Sequence, residues 1–128
     1  MVSSDRSPRS YLGIDPGTSG ALALLHDERL QVYDVPTLAI RKRGSVKTEI
    51  DAFGLLETIN LIAAVTPGLT AIVEKVGGMP KQAGAFQFGR TVGLIEMACV
   101  AANVPVVYAA PGAWKAHARL IGKGATYR

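Results

Sequence analysis

Residues 11–25 read YLGIDPGTSGALALL. Tyr11, Leu12, Gly13 and Ile14 have strand character, and the acid that ends them, Asp15, stands before a Pro-Gly turn leading into a second apolar run, residues 20–25. Two such runs joined by a short turn pair as a hairpin. An Asp in a turn has an ordinary structural use, accepting backbone N–H bonds where the chain reverses. Asp15 differs in terminating a strand instead of belonging to a polar loop, and a strand end is a rigid platform on which a reactive group can be held. Both readings stand at this point.

Working outward, HDER (residues 26–29) turns the chain into LQVYDV (30–35), a third strand that completes an antiparallel meander. DAFGLLETINLIAAV (51–65) repeats its apolar residues with helical spacing through Ala52, Leu55, Leu56, Ile59, Ile62 and Ala63. Asp51 caps its start, and Pro67 and Gly68 stop it. TAIVE (70–74) is a buried, β-branched fourth strand that ends in Glu74. After a Gly-rich loop, residues 85–103 carry a second helical pattern through Phe88, Val92, Ile95 and Cys99. VPVVYA (104–109) is a fifth strand, and Pro111 opens a short third helix. The order of elements predicts an α/β domain over residues 11–128, preceded by a mobile tail over residues 1–10.

The chain has 128 residues, 48% of them apolar, which suits one domain with a substantial core. Its single cysteine, Cys99, lies among Ala98, Val100 and Ala101 and reads as a small core residue in a reducing compartment. The N-terminus lacks the apolar segment of a signal peptide. The apolar stretch 94–114 is broken by Glu96, Asn103 and Pro105 and is not a membrane span. A cytoplasmic protein is expected. Formal charge is +4, unevenly distributed. From Lys75 onward there are seven basic residues, Lys75, Lys81, Arg90, Lys115, Arg119, Lys123 and Arg128, against one acid, Glu96. A second basic cluster, RKRGSVK, carries Arg41, Lys42, Arg43 and Lys47 in what reads as a Gly/Ser loop. Cations flanking a carboxylate site suit a polymer of phosphates, whose counterions they displace.

If the strands bearing Asp15 and Glu74 are neighbours, about 4.8 Å apart, two carboxylates converge at one edge of the sheet. Two close carboxylates repel unless one is protonated or a cation lies between them. A divalent metal is the economical solution, and hard oxygen donors select Mg²⁺ or Mn²⁺.

GIDPGTSGALAL (residues 13–24), residues 73–106 from VEKVGG to NVPV, and the tail YAAPGAWKAHARLIGKG (108–124) together resemble the RuvC-type Holliday junction resolvases, particularly the phage and prophage branch. The resemblance implies an RNase H-like fold: a mixed sheet with strand order 3-2-1-4-5, first and fourth strands adjacent, and helices packed on both faces. It implies a homodimeric, metal-dependent endonuclease that resolves four-way (Holliday) or branched DNA by phosphodiester hydrolysis, in a bacterial cell or encoded by a phage. Asp15 and Glu74 match the family's first two metal ligands, and Lys115 a lysine near the scissile phosphate. Part of the apolar surface of the second helix, around Val92, Gly93, Ile95, Ala98 and Cys99, should face the partner subunit.

Two departures qualify this resemblance. RuvC-type enzymes carry a further C-terminal helix with two more metal-binding acids, whereas this sequence stops at GATYR. As given, it holds half of the expected ligands, which predicts weak metal binding, little cleavage and retained DNA binding. Where bacterial members place an aromatic wedge, this loop has Met79, which reads equally as a wedge between unstacked bases and as a loop anchor. A non-catalytic junction-binding module and an RNase H-like nuclease acting on RNA are the competing readings. GIDPGTSGA also resembles the first phosphate loop of the actin, Hsp70 and sugar-kinase superfamily, but those proteins need two such domains.

Overall fold

A computed structural model describes residues 9–17, 20–74 and 84–110. Their elements run β1 (Ser10–Ile14), β2 (Ala21–His26), β3 (Arg29–Asp34), β4 (Thr37–Lys42), β5 (Ser45–Ile50), α1 (Ala52–Val65), β6 (Leu69–Glu74), α2 (Ala85–Ala101) and β7 (Val106–Ala109). Five strands form one sheet in the order β3-β2-β1-β6-β7. With the separate ribbon β4-β5 set aside, this is the predicted 3-2-1-4-5 arrangement. β1 lies in the middle, antiparallel to β2 and parallel to β6, and β7 is parallel to β6.

Alternation along the strands determines which side of the sheet is covered. Ser10, Leu12 and Ile14 of β1 are buried with their register partners Leu22 and Leu24 of β2 and Leu69, Ala71 and Val73 of β6. Against this face α1 sets Leu55, Ile59 and Ile62, and α2 sets Ile95, Ala98 and Cys99, forming one apolar cluster. Burying a side chain such as Leu12 or Ile59 completely contributes about 1.5–3 kcal/mol each. The Asp51 side chain accepts the Gly54 N–H at 3.0 Å and caps α1 as its sequence predicts. Gly54 has no room for a side chain, because a Cβ there would lie 2.6 Å from Asp51 Oδ2 and 3.0 Å from the Pro36 ring.

Among the described residues both helices cover this one face. The opposite face carries Leu25, Leu30, Val32 and Val107, all exposed. The third helix expected from Pro111 lies outside the described residues.

Two expectations are corrected. The basic stretch 41–47 is not a loop: β4 and β5 pair in register from Thr37–Ile50 to Lys42–Ser45, and only Arg43 and Gly44 form the turn. Leu38, Ile40, Val46, Thr48 and Ile50 supply the alternating and β-branched residues of such a ribbon. The apolar surface of α2 is also divided differently, since Ile95, Ala98 and Cys99 belong to the chain's own core. Its outward apolar residues are Phe86, Met97 and Val100, with Gly93 between them exposed as well.

Candidate functional site

The parallel ladder between β1 and β6 runs from Ser10–Leu69 to Ile14–Val73. One step further in the same register stand Asp15 and Glu74. Both continue the less-covered side of their strands, Asp15 exposed and Glu74 half-buried. Neighbouring strands are about 4.8 Å apart, so the two carboxylates share one end of the sheet, on its two adjoining inner strands. Neither belongs to an ion pair among the described residues.

The segment after Asp15 holds that acid in place through its backbone. Asp15 N–H donates to the Ala21 carbonyl at 3.1 Å, Gly17 N–H to the Asp15 carbonyl at 2.9 Å, and Gly20 N–H to the Gly17 carbonyl at 3.0 Å. A Cβ on Gly20 would collide with the Asp15 carbonyl oxygen and lie 2.9 Å from the Gly17 oxygen. The glycine is therefore a steric requirement, and the turn folds tightly back under the acid. Two hard oxygen donors on rigid strand ends fit a hard divalent cation as part of its ligand set. The described residues contain no group of three or more His, Cys, Asp or Glu that could hold a metal.

Glu96 and Cys99 are engaged elsewhere, whereas Asp34 ends β3 in register with Ala21 at the same end of the sheet as Asp15. Glu96 accepts the Tyr108 hydroxyl at 2.9 Å. It lies on the α2 side of the sheet, so it does not join Asp15 and Glu74. Burial, with the Glu96 bond next, raises the Tyr108 pKa above its ordinary value. Cys99 is wholly buried, and desolvation pushes its thiol up to about 11. It is therefore a packed thiol and not a reactive one.

Sequence reasoning missed a Ser-His-Asp chain, in which Ser10 Oγ lies 2.6 Å from His26 Nδ1 and His26 Nε2 lies 3.2 Å from Asp27. Ser10 is fully buried, so no substrate reaches its oxygen. The chain ties the start of β1 to the end of β2. No sequence signal marks it, because Ser10 and His26 meet only through the β1–β2 pairing.

Of the predicted cationic residues, Arg41, Lys42, Arg43 and Lys47 are exposed on the β4-β5 ribbon. Arg90 on α2 reaches Glu49 of β5 at 3.7 Å. The ribbon leaves edge strand β3 at the end of the sheet where the carboxylates stand: Val35 N–H donates to the Gly20 carbonyl at 3.3 Å, and Asp51 N–H to the Pro36 carbonyl at 2.9 Å. Lys75, Met79, Lys81, Lys115, Arg119 and Lys123 lie outside the described residues.

A mixed five-stranded sheet in this order, with two helices on it, matches the RNase H-like fold seen in RuvC. Among solved structures, Thermus thermophilus RuvC in complex with a Holliday junction substrate matches with a TM-score of 0.57 at 14% identity, over 84% of this chain and 68% of that one. A second Thermus thermophilus RuvC structure matches at a TM-score of 0.49 and 17% identity, over 83% of this chain and 66% of that one. No known protein family and no curated protein sequence matches the chain. No helix among the described residues is long and apolar enough to cross a membrane.

Proposed function

We propose that the protein is a metal-dependent endonuclease of the RuvC type that hydrolyses phosphodiesters in four-way or otherwise branched DNA. The observation that carries this reading is the register that sets Asp15 beside Glu74 at the end of the two central strands of an RNase H-like sheet. The likeness to a RuvC whose structure holds a Holliday junction substrate supports the choice of DNA. Asp15 and Glu74 would hold Mg²⁺ or Mn²⁺, which when bound supplies charge neutralisation and water activation at the scissile phosphate.

The chain's own contribution is positioning. Strand ends fix the carboxylates, Gly20 lets the turn close behind Asp15, and the cations of the β4-β5 ribbon neutralise DNA phosphates. Lys115 would add charge near the scissile phosphate, and Lys75, Met79, Lys81, Arg119 and Lys123 further DNA contact. The protein acts as a homodimer in the bacterial cytoplasm, bacterial or phage-encoded, because two symmetric cuts need two sites. The uncovered stripe of Phe86, Gly93, Met97 and Val100 supports a partner on the outer side of α2.

The test is cutting of an end-labelled four-way junction by the protein at its native length in Mg²⁺, beside the Asp15→Asn variant. The expected result is metal-dependent cutting that Asp15→Asn abolishes while the junction complex persists, since phosphate-holding cations are untouched. Cutting by Asp15→Asn at the unsubstituted rate refutes the assignment. Junction binding without cutting by the native-length protein favours a binding module, and cutting confined to RNA an RNA nuclease.

A further inference from the structure

The β4-β5 ribbon contributes little to the fold. It joins no strand of the main sheet, and of its residues only Ile50 is buried. An exposed two-stranded hairpin is at best marginally stable alone, so a segment of this kind gains nothing for the core that a short connection would not. Its composition is one-sided: Arg41, Lys42, Arg43 and Lys47 stand against one acid, Glu49, and Arg90 engages that acid.

The turn itself places a cation at a cost. Arg43 has φ 46° and Gly44 φ 80°, the pair of left-handed residues of a two-residue hairpin turn. The first such position favours Asn, Asp or Gly, and an Arg there costs about 1–2 kcal/mol. Asp27 and Glu28 of the β2–β3 turn share this left-handed backbone; what sets the ribbon turn apart is the cation it holds at the tip. Cross-strand register puts Lys42 and Lys47 on the same side as Glu49, towards α2. There a cleft of about 100 Å³ opens between ribbon and helix, lined by Lys42, Lys47 and Arg90, with Glu49 offsetting one of the three cations and the polar Thr48, Gln87 and Thr91 beside them.

We propose that the ribbon is a grip for a duplex DNA arm, its cations running along the backbone and the cleft against α2 receiving one phosphate. This rests on the branched-DNA reading and adds to it a second contact region, beyond the carboxylates. At about 3.4 Å per residue, six-residue strands carry the tip roughly 20 Å from its base. At about 3.4 Å of rise per base pair, that spans roughly six base pairs. A two-stranded ribbon also matches the width of the B-DNA major groove.

The experiment compares the full chain with a variant carrying Arg41→Gln, Lys42→Gln, Arg43→Asn and Lys47→Gln. All four positions are exposed, and Asn suits the turn better than Arg, so the fold is retained; circular dichroism verifies it. Affinity for a four-way junction is measured by fluorescence anisotropy across about 50–200 mM salt. Each lost phosphate contact lowers the slope of log K against log salt by about 0.9, so the expected fall is about 2–4. Trimming the junction arms should weaken the unsubstituted protein and leave the variant's affinity nearly unchanged.

An unchanged slope, with the unsubstituted protein binding the junction well, overturns the grip and leaves the nuclease reading intact. No junction affinity at low salt in either protein overturns both. Equal ribbon-dependent binding of double-stranded RNA overturns the assignment to DNA, because the narrow A-form major groove does not admit a ribbon.

Discussion

Replacing Gly20 with alanine tests how the turn holds Asp15. The new Cβ would overlap the Asp15 carbonyl oxygen and approach the Gly17 oxygen at 2.9 Å and the Asp15 carbonyl carbon at 3.2 Å. All three neighbours are backbone atoms, so no side chain can rotate aside and the turn must open. Forcing a methyl into filled space costs about 1–3 kcal/mol. In a domain of this size that lowers Tm by roughly 5–15 °C. The displacement falls on the residue that carries the carboxylate. A shift of about 1 Å in a positioned group costs about 100-fold in rate.

The assays are thermal unfolding by circular dichroism and Mn²⁺-induced NMR broadening at Asp15 and Glu74. Gly20→Ala should lower Tm and weaken broadening at both residues. Gly89→Ala serves as the control: a Cβ there meets nothing within 4 Å, and in a helix alanine gains about 0.5–1 kcal/mol over glycine. A Gly20→Ala protein with unaltered Tm and broadening would refute the claim that this turn positions the acid. Broadening in the unsubstituted protein that spares both Asp15 and Glu74 would refute the site itself.

Ile59→Ala empties a fully buried position in α1 and should cost about 2–5 kcal/mol, a large share of a domain's total, read from the shift in urea midpoint. Met97→Glu, on the exposed outer stripe of α2, should leave the protomer folded and, on the proposed dimer, halve the mass seen by light scattering; a dimer unchanged by the substitution places the interface elsewhere, and a monomeric unsubstituted protein refutes the dimer. Cys99 should resist alkylation at pH 8 until the protein unfolds. Because its folded pKa lies above the ordinary value of 9.0, the folded state keeps a proton the unfolded state gives up. Its contribution to stability is complete below about pH 9 and is lost as pH rises towards about 11, which urea unfolding at a series of pH values would follow.

Local chemistry made much of this protein legible in its sequence. Alternation and β-branching identified β1, β2, β3, β6 and β7, helical spacing and the Asp51 cap identified α1, and both acids were recognised at strand ends. These are short-range signals, fixed by side-chain period and backbone sterics. The β4-β5 ribbon carried such a signal too, but its turn is Arg-Gly where Asn-Gly is usual, and charge obscured the alternation.

Tertiary structure decided what depends on pairing. That Asp15 adjoins Glu74 follows from a parallel register across fifty-odd intervening residues, and a slip of one position would send the two acids to opposite faces. That Ile95, Ala98 and Cys99 fill the core while Phe86, Met97 and Val100 remain outside depends on which side of α2 meets the sheet. An apolar helix with residues on several sides does not specify this choice by itself. The sequence by itself supplied the elements and the chemistry at their ends. Long-range strand pairing and helix packing, which no local pattern encodes, decided which of those ends meet.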